Sequence, residues 1–381
     1  MPMSGKSVSL YFHIPFCTKK CHYCHFFVLP DQPMLHQQLI EGLKLEMAQW
    51  ASELRGKTLA SVYFGGGTPS LLEASAIRCL LEEVNRYIPF DPASIEITLE
   101  ANPETITAGK IRDFASAGIN RISIGVQTLD DHLLQKLGRT HRSQTSVDAI
   151  KMTADAGIEN ISIDLMYDIP GQTLTSWEQT LERIPSLLIT HLSLYNLTIE
   201  PKTVFFKYRE SLQKILPDAE CSAGMYKKAI IAMKAAGLDQ YEISAFAKLG
   251  LYSKHNVGYW IGRPFLGFGP SAFSYWHNKR FRSVPQFKRY LECLKQGVSP
   301  IDFSEELEPK KRRNELLTIA LRLRKGVECA AFEAQHGPLD PSTYRALDSL
   351  VSQQFLKREG DSFSLTDQGV LFYDTVAVEL C

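Results

Sequence analysis

Between Val8 and Leu197 the sequence switches repeatedly between two hydrophobic patterns. Short apolar, β-branched runs fall at Val8–His13, Leu59–Phe64, Ile95–Leu99, Arg121–Val126, Asn160–Leu165 and His191–Leu197, and runs of that length and composition predict strands. Between them apolar residues recur at helical spacing. Leu35, Leu39, Leu43 and Met47 repeat every four residues, as one face of an amphipathic helix does. Further helices are predicted over Leu71–Tyr87, Ala108–Ala117, Asp130–Leu137, Ser143–Ala156 and Leu174–Leu188. Gly118 and Gly157 follow two of these closely, where a left-handed C-cap sits.

Strands that alternate with helices imply an α/β fold with a parallel sheet and right-handed crossovers. The mostly continuous apolar strands fit a sheet covered on at least one face. A partial (β/α)6 barrel and an open doubly wound sheet both satisfy the pattern. After about residue 200 the alternation stops: a helix is predicted at Ala219–Ala236 and a short strand near Tyr241–Ser244, then a Gly- and aromatic-rich segment runs from His255 to Trp276. From about Phe303 the order is three helices and a hairpin, with strands Phe355–Arg358 and Ser362–Leu365 around a turn at Glu359–Asp361. That order resembles a winged helix. The expected division is therefore a barrel over 1–245, a connecting segment over 246–300 and a C-terminal α+β winged-helix-like domain over 301–381.

A length of 381 residues accommodates one large domain and a smaller one. Lysine plus arginine balance aspartate plus glutamate at 42 each, so no net field draws the chain to nucleic acid or an anionic membrane. The winged-helix-like tail then reads as a packing module. Met1–Phe12 lacks the basic start and apolar core of a secretory signal, and no apolar run is long enough to span a bilayer. A cytoplasmic protein is expected. Homodimerisation and peripheral membrane association through a partner are compatible with this sequence.

Three of the eight cysteines crowd together at Cys17, Cys21 and Cys24, within Tyr-Phe-His-Ile-Pro-Phe-Cys-Thr-Lys-Lys-Cys-His-Tyr-Cys. In a reducing compartment such a group points to a metal site. Three thiolates at this Cys-x3-Cys-x2-Cys spacing can hold three irons of a [4Fe–4S] cubane and leave the fourth open for ligand chemistry. The other reading is a zinc knuckle completed by His22 or His25. The remaining cysteines (79, 221, 293, 329 and 381) are scattered and read as small buried or incidental thiols. Polar groups also recur at the C-terminal ends of successive predicted strands: Gly65-Gly66-Gly67-Thr68, Glu100, Gln127, Asp164 and Tyr195-Asn196. Each alone could be a cap or loop residue. Their convergence favours the barrel, which gathers its site at that end.

Cys-x3-Cys-x2-Cys with an aromatic before the last cysteine resembles the signature of the radical S-adenosylmethionine (SAM) superfamily. The resemblance implies a [4Fe–4S] cluster on Cys17, Cys21 and Cys24, with SAM chelated at the open iron and reductively cleaved to methionine and a 5′-deoxyadenosyl radical. It also implies that Gly67 and Thr68 contact the methionine end of SAM and Glu100 its ribose. Gln127, Arg139 and Asp164 would line the same pocket, with Arg139 suited to a carboxylate; Tyr11 and Tyr23 would flank the cluster and Thr198 would meet the adenosine part. His-Ile-Pro-Phe-Cys, Phe-Gly-Gly-Gly-Thr-Pro-Ser, Ser-Ile-Gly-Val-Gln-Thr and Ile-Asp-Leu-Met-Tyr-Asp-Ile-Pro-Gly-Gln-Thr resemble the HemN/HemW group over nearly the whole chain.

That group contains oxygen-independent coproporphyrinogen III dehydrogenases and haem chaperones. The dehydrogenase branch has a further cysteine where this chain has Phe26, and an N-terminal arm for which there is no length ahead of Cys17. Lys254-His255-Asn256-Val257-Gly258-Tyr259-Trp260 carries the His-Asn-x-x-Tyr-Trp motif of the chaperone branch, whereas His25 departs from the aspartate usual there. The resemblance therefore implies a SAM- and cluster-binding protein that carries haem to apoproteins, with His255 as candidate haem ligand. The rivals are the dehydrogenase activity and radical chemistry on another substrate.

Overall fold

The computed structural model describes residues 6–381. The preceding residues, part of the stretch read above for a leader, lie outside it. The six sequence-predicted strands are all present: β1 (Ser7–Ile14), β2 (Thr58–Gly66), β3 (Glu96–Ala101), β4 (Arg121–Gln127), β5 (Asn160–Tyr167) and β6 (His191–Asn196). They pair in parallel and in chain order. Between them run α1 (Pro33–Gln49), α2 (Ala74–Tyr87), α3 (Ala108–Ser116), α4 (Asp131–Leu137), α5 (Ser143–Asp155) and α6 (Leu174–Arg183). Because every strand lies beside its successor, there is no switch point. Right-handed crossovers then put all these helices on one face, which gives a partial barrel and excludes the doubly wound alternative.

The strands are more strictly two-faced than their apolar content implied. Val8, Leu10, Phe12, Ile97, Leu99, Ile122, Ile124, Ile161, Ile163, Leu192 and Leu194 are buried in the core beneath the helices. The residues between them (Ser9, Tyr11, Thr98, Glu100, Arg121, Ser123, Ser162, Asp164, His191 and Ser193) turn to the concave face, as the period of two requires. The lumen is polar from floor to mouth.

Beyond α7 (Ala219–Ala235), β7 (Asp239–Glu242) and β8 (Ala245–Ala247) add to the β6 edge with β8 antiparallel to β6. After α8 (Lys254–Trp260), β9 (Phe265–Phe268) returns to the other edge and pairs in parallel with β1. Then β10 (Phe273–Trp276), β11 (Lys279–Ser283) and, after α9 (Phe287–Lys295), β12 (Ile301–Glu306) extend it antiparallel. The result is one twelve-stranded sheet, ordered β12-β11-β10-β9-β1-β2-β3-β4-β5-β6-β8-β7. Residues 246–300, expected as a connector, thus supply strands to the main sheet, and β12 belongs to it as well. Glycine hid this strand pattern: a Cβ at Gly267 would run into the Phe273 carbonyl, so the close β9–β10 approach requires its absence.

One carboxylate fastens this added edge. Glu46 of α1 is buried and accepts hydrogen bonds of 2.7 Å each from Gly269 N–H, Ser283 O–H and Tyr290 O–H. Burial nevertheless pushes its carboxyl from the ordinary 4.5 up to about 7. The native chain then holds this proton more tightly than the unfolded chain does, so Glu46 makes stability fall as pH rises between about 4.5 and 7. His13, His191, His255 and His336, whose rings burial holds below their ordinary value, act in the opposite direction by costing stability as pH falls. The test is therefore the difference between proteins: from pH 5 to pH 8 the urea midpoint of Glu46→Gln should fall less, or rise more, than that of the wild type. An equal change in both would place the titration elsewhere.

The C-terminal portion comprises α10 (Pro309–Ala320), β13 (Val327–Glu328), α11 (Cys329–His336), α12 (Pro341–Ser352), β14 (Leu356–Glu359) and β15 (Ser362–Leu365), followed by α13 (Asp367–Leu371) and α14 (Tyr373–Leu380). Its sheet runs β13-β15-β14, which completes the winged-helix order. It docks on the barrel through backbone bonds Ile243 N–H to Arg322 C=O (3.1 Å) and Arg324 N–H to Tyr241 C=O (3.0 Å). The Arg322 guanidinium lies 4.4 Å from the Trp260 ring centre. Among the described residues no helix is long and apolar enough to cross a membrane.

Candidate functional site

The chain leaves the C-terminal end of β1 and enters the loop that carries Cys17, Cys21 and Cys24, all half-buried and free of disulfides. Contacts on three sides moor this loop. Gly67 N–H and Thr68 N–H donate to the carbonyls of Ile14 (2.9 Å) and Phe16 (2.7 Å). A Cβ at Gly67 would come within 2.6 Å of the Phe16 carbonyl, so the glycine run at the end of β2 exists partly to let the loop backbone close in. On the other side His22 N–H donates to Leu137 C=O (3.0 Å), and its Nδ1 lies 2.9 Å from Lys136 C=O. The His22 ring packs over Gly138, whose φ of +78° caps α4. Below, Phe205 N–H donates to the His22 carbonyl. His22 is therefore a mooring residue, while His25 is exposed beside Phe26.

A hydrogen-bonded bridge then joins two of the thiols. Arg139 donates from Nη1 to Cys21 Sγ (3.4 Å) and from Nη2 to Asn102 Oδ1 and Gly125 C=O, both at 2.8 Å. Asn102 Nδ2 donates to Thr68 Oγ1 (3.2 Å), and the Thr68 hydroxyl donates to Cys17 Sγ (3.5 Å). Donors aimed at sulfur favour thiolate and metal-bound sulfur. Burial pushes the Cys17 thiol up to about 11 and raises Cys24, so a bound metal has to displace the protons. Among the described residues no three His, Cys, Asp or Glu side chains converge on a single ion; a cubane, which binds each thiolate through a different iron, does not ask them to.

Beside the thiols the lumen mouth is lined by Glu100, Asp164, Tyr11, Tyr63, Tyr23 and Gln127. Glu100 is held at both oxygens, by Tyr63 O–H (2.7 Å) and Gly66 N–H (3.0 Å). Burial, with the Asp164 charge adding to it, pushes Glu100 up to about 7, and burial pushes Asp164 up to about 6. Asp164 accepts from Ser123 O–H at 3.4 Å. Tyr11 O–H meets His13 Nδ1 at 3.1 Å, and Tyr23 packs against Leu133, Leu137 and Met166. Gln127 ends β4 with φ of +69°, which turns the chain across the mouth. Arg139 Nε is buried and has no hydrogen-bond partner among the described residues. It is the donor left over for a ligand carboxylate next to the thiols.

Eight of the residues singled out from sequence thus gather with the cysteines: Tyr11, Tyr23, Gly67, Thr68, Glu100, Gln127, Arg139 and Asp164. Thr198 lies exposed in the loop after β6, without a described polar contact. His255 lies apart from this group. It sits deeper in the lumen, beneath Tyr63 and Tyr11, whose ring centres lie 4.9 Å and 6.5 Å from its own, and is buried with Nδ1 2.9 Å from Ser61 Oγ and Nε2 2.8 Å from Tyr259 O–H. Burial drives its ring down to about 3. Both ring nitrogens are hydrogen-bonded within the barrel floor. Asn102, Gly125 and Gly138 escaped the sequence reading because their roles are contacts with the cysteine loop, and nothing local marks them.

Residues 11–184 match the family model described as the Radical SAM superfamily, and residues 307–372 that of the HemN C-terminal domain. The chain is 34% identical over 371 residues to the Heme chaperone HemW of Bacillus subtilis, covering 97% of both chains. It is 32% identical to the Heme chaperone HemW of Escherichia coli, again covering 97% of both. To the mitochondrial Radical S-adenosyl methionine domain-containing protein 1 of Danio rerio it is 37% identical, covering 86% of this chain and 75% of that one. Among solved structures, coproporphyrinogen III oxidase (HemN) from Escherichia coli, titled a Radical SAM enzyme, superposes with a TM-score of 0.85 and 22% identity, over 98% of this chain and 90% of that one. The two share a fold.

Proposed function

The chain belongs to the HemW family of the radical SAM superfamily, and from that premise we propose that it is a haem chaperone: a cluster- and SAM-binding protein that takes up haem and passes it to apoproteins. The observation that carries the reading is near-full-length similarity to proteins named heme chaperones, joined to an intact thiol and ligand site at the barrel mouth. Cys17, Cys21 and Cys24 would hold the [4Fe–4S] cluster. When bound, the cluster and SAM supply one-electron chemistry and a SAM-derived radical.

The chain's own residues suit those two groups. Thr68 and Arg139 donate to two of the three sulfurs, which stabilises electron-rich sulfur and tunes its potential. The Arg139 Nε, without a partner among the described residues, would meet the carboxylate of SAM. Glu100, fixed by Tyr63 and Gly66, would accept from the ribose hydroxyls of SAM. Asp164 and Tyr11 complete the polar wall, and Gln127 shapes the rim. The scaffold that binds these groups does not by itself require turnover.

The second reading is dehydrogenation of coproporphyrinogen, favoured by the same intact site. Against it stands Phe26, exposed at 52% where the dehydrogenase branch carries a further cysteine. The test is anaerobic. Protein reconstituted with iron and sulfide is titrated with haem while the Soret band is followed, and the same sample is assayed for coproporphyrinogen turnover with SAM and a reductant. Stoichiometric haem uptake without turnover is the expected result. Turnover to protoporphyrinogen would replace the chaperone reading with the dehydrogenase.

A further inference from the structure

The haem-chaperone reading needs a place for its cargo, and the His255 ring is engaged by Ser61 and Tyr259 in the barrel floor. A cavity of about 1140 Å³ lies between the foot of β1, the β10–β11 hairpin and the C-terminal portion. It exceeds the roughly 300–1,000 Å³ of ordinary small-ligand pockets, as a tetrapyrrole needs. Its lining combines the three chemistries of haem. Trp276 and Phe332 offer aromatic area for the macrocycle. Lys57 and Lys325 offer ammonium groups for the propionates. His277 and His336 offer imidazoles for the iron.

The two histidines are not equivalent. His277 is largely exposed, and its Nε2 is held 2.8 Å from Glu53 Oε2. His336 closes α11, stacks on Phe332 with ring centres 4.7 Å apart, and has no hydrogen-bond partner for either ring nitrogen among the described residues. Burial, with the Arg312 guanidinium adding to it, lowers the ring to about 4, so it is the neutral imidazole that a haem iron takes. Lys57 lines the same cavity, its Nζ 5.4 Å from the centre of the Trp276 ring. Glu328 also lines the cavity, and it leaves the wall cationic overall beside the two lysines.

We propose that this cavity is the haem-carrying site, with His336 as axial ligand and Lys57 and Lys325 as partners of the propionates. The inference rests on the haem-chaperone reading and adds a site to it. It separates haem from the cluster: the cargo rides on the foot of the barrel and the C-terminal portion, while the cluster lies at the mouth. The family's C-terminal domain then has a carrier's role, contributing the ligand and part of the wall.

The test titrates haem into the full-length, cluster-loaded protein and into His336→Ala, His336→Met, His25→Ala and the double variant Lys57→Glu/Lys325→Glu. His336→Ala should weaken haem at least about tenfold and abolish the wild-type low-spin or high-spin signature. His336→Met should restore binding with a shifted Soret band, which a merely structural role would not do. The double variant should weaken haem but not haem dimethyl ester, which lacks the carboxylates. Iron and sulfide content should be unchanged in all of them. Unchanged affinity and spectrum in His336→Ala, or their loss in His25→Ala alone, would overturn the site. Wild-type protein that binds no haem would instead overturn the chaperone reading itself.

Discussion

Replacing Cys17, Cys21 and Cys24 together by alanine is expected to leave a folded chain that takes up no cluster iron. The fold should survive because none of the three thiols is fully buried and none takes part in the hydrophobic core. The loop is held by backbone and by the His22 ring: Gly67 N–H on Ile14, Thr68 N–H on Phe16, His22 N–H on Leu137 and Phe205 N–H on His22. Iron binding should vanish because no other group of metal-ligating side chains is assembled among the described residues, and cluster iron is held by thiolate. Acid-labile sulfide and visible absorption after anaerobic reconstitution would read the loss, and far-ultraviolet circular dichroism the fold. Cys79→Ala is the control, expected to keep full iron content. Retention of cluster absorption in the triple variant would remove these cysteines as ligands, and with them the whole reading of the barrel mouth.

Much of this site was legible in sequence because its chemistry is local. The cysteine spacing, the glycine run after β2 and the polar residue closing each strand lie in short segments whose residue types announce their function. The six parallel strands followed from alternation alone, and their consecutive order then left one way to lay the helices. Two things were not legible. The first was the period of two inside the strands: Ser9, Tyr11, Ser123, Asp164 and Ser193 are scattered among apolar neighbours, and only the curved sheet shows them as one polar lumen. The second was everything carried by long-range approach. Asn102 and Gly125 serve Arg139, and Gly138 serves His22, from more than a dozen residues away. The glycines between 258 and 269 likewise read as loop, because close packing of β9 on β10 and on the β1–His13 backbone demands residues that carry no strand signal.

The His-Asn-x-x-Tyr-Trp segment is the sharpest case of a motif whose chemistry depends on what approaches it. Its backbone, not its imidazole, meets the strongest partner. Glu96 at the start of β3 accepts from Lys254 N–H and His255 N–H, both at 2.9 Å, and faces Arg121 Nε at 3.9 Å. Glu96 is 4% exposed and Arg121 is 1% exposed. The His255 ring then bridges Ser61 and Tyr259, and lies 4.9 Å from the Tyr63 ring centre. Together these residues seal the lumen at the end away from the cysteines.

Glu96→Ala should therefore destabilise the protein by about 3–5 kcal/mol, the range for a buried ion pair that loses one partner. It removes the carboxylate nearest the buried Arg121 guanidinium, leaving only the more distant Asp164 and Glu100 to offset it, and deprives two N–H groups of α8 of their acceptor. Glu96→Gln should do less harm to α8, since its amide oxygen still accepts, but it leaves Arg121 equally without its nearest carboxylate. Glu96→Gln combined with Arg121→Met should recover part of the loss, because the second change removes the buried charge. Equilibrium unfolding by urea measures each variant, and the iron content after reconstitution should match wild type wherever the chain folds. A cost below about 1 kcal/mol for Glu96→Ala, the range of an exposed pair, would mean that water reaches Arg121. The barrel floor would then be open beside His255.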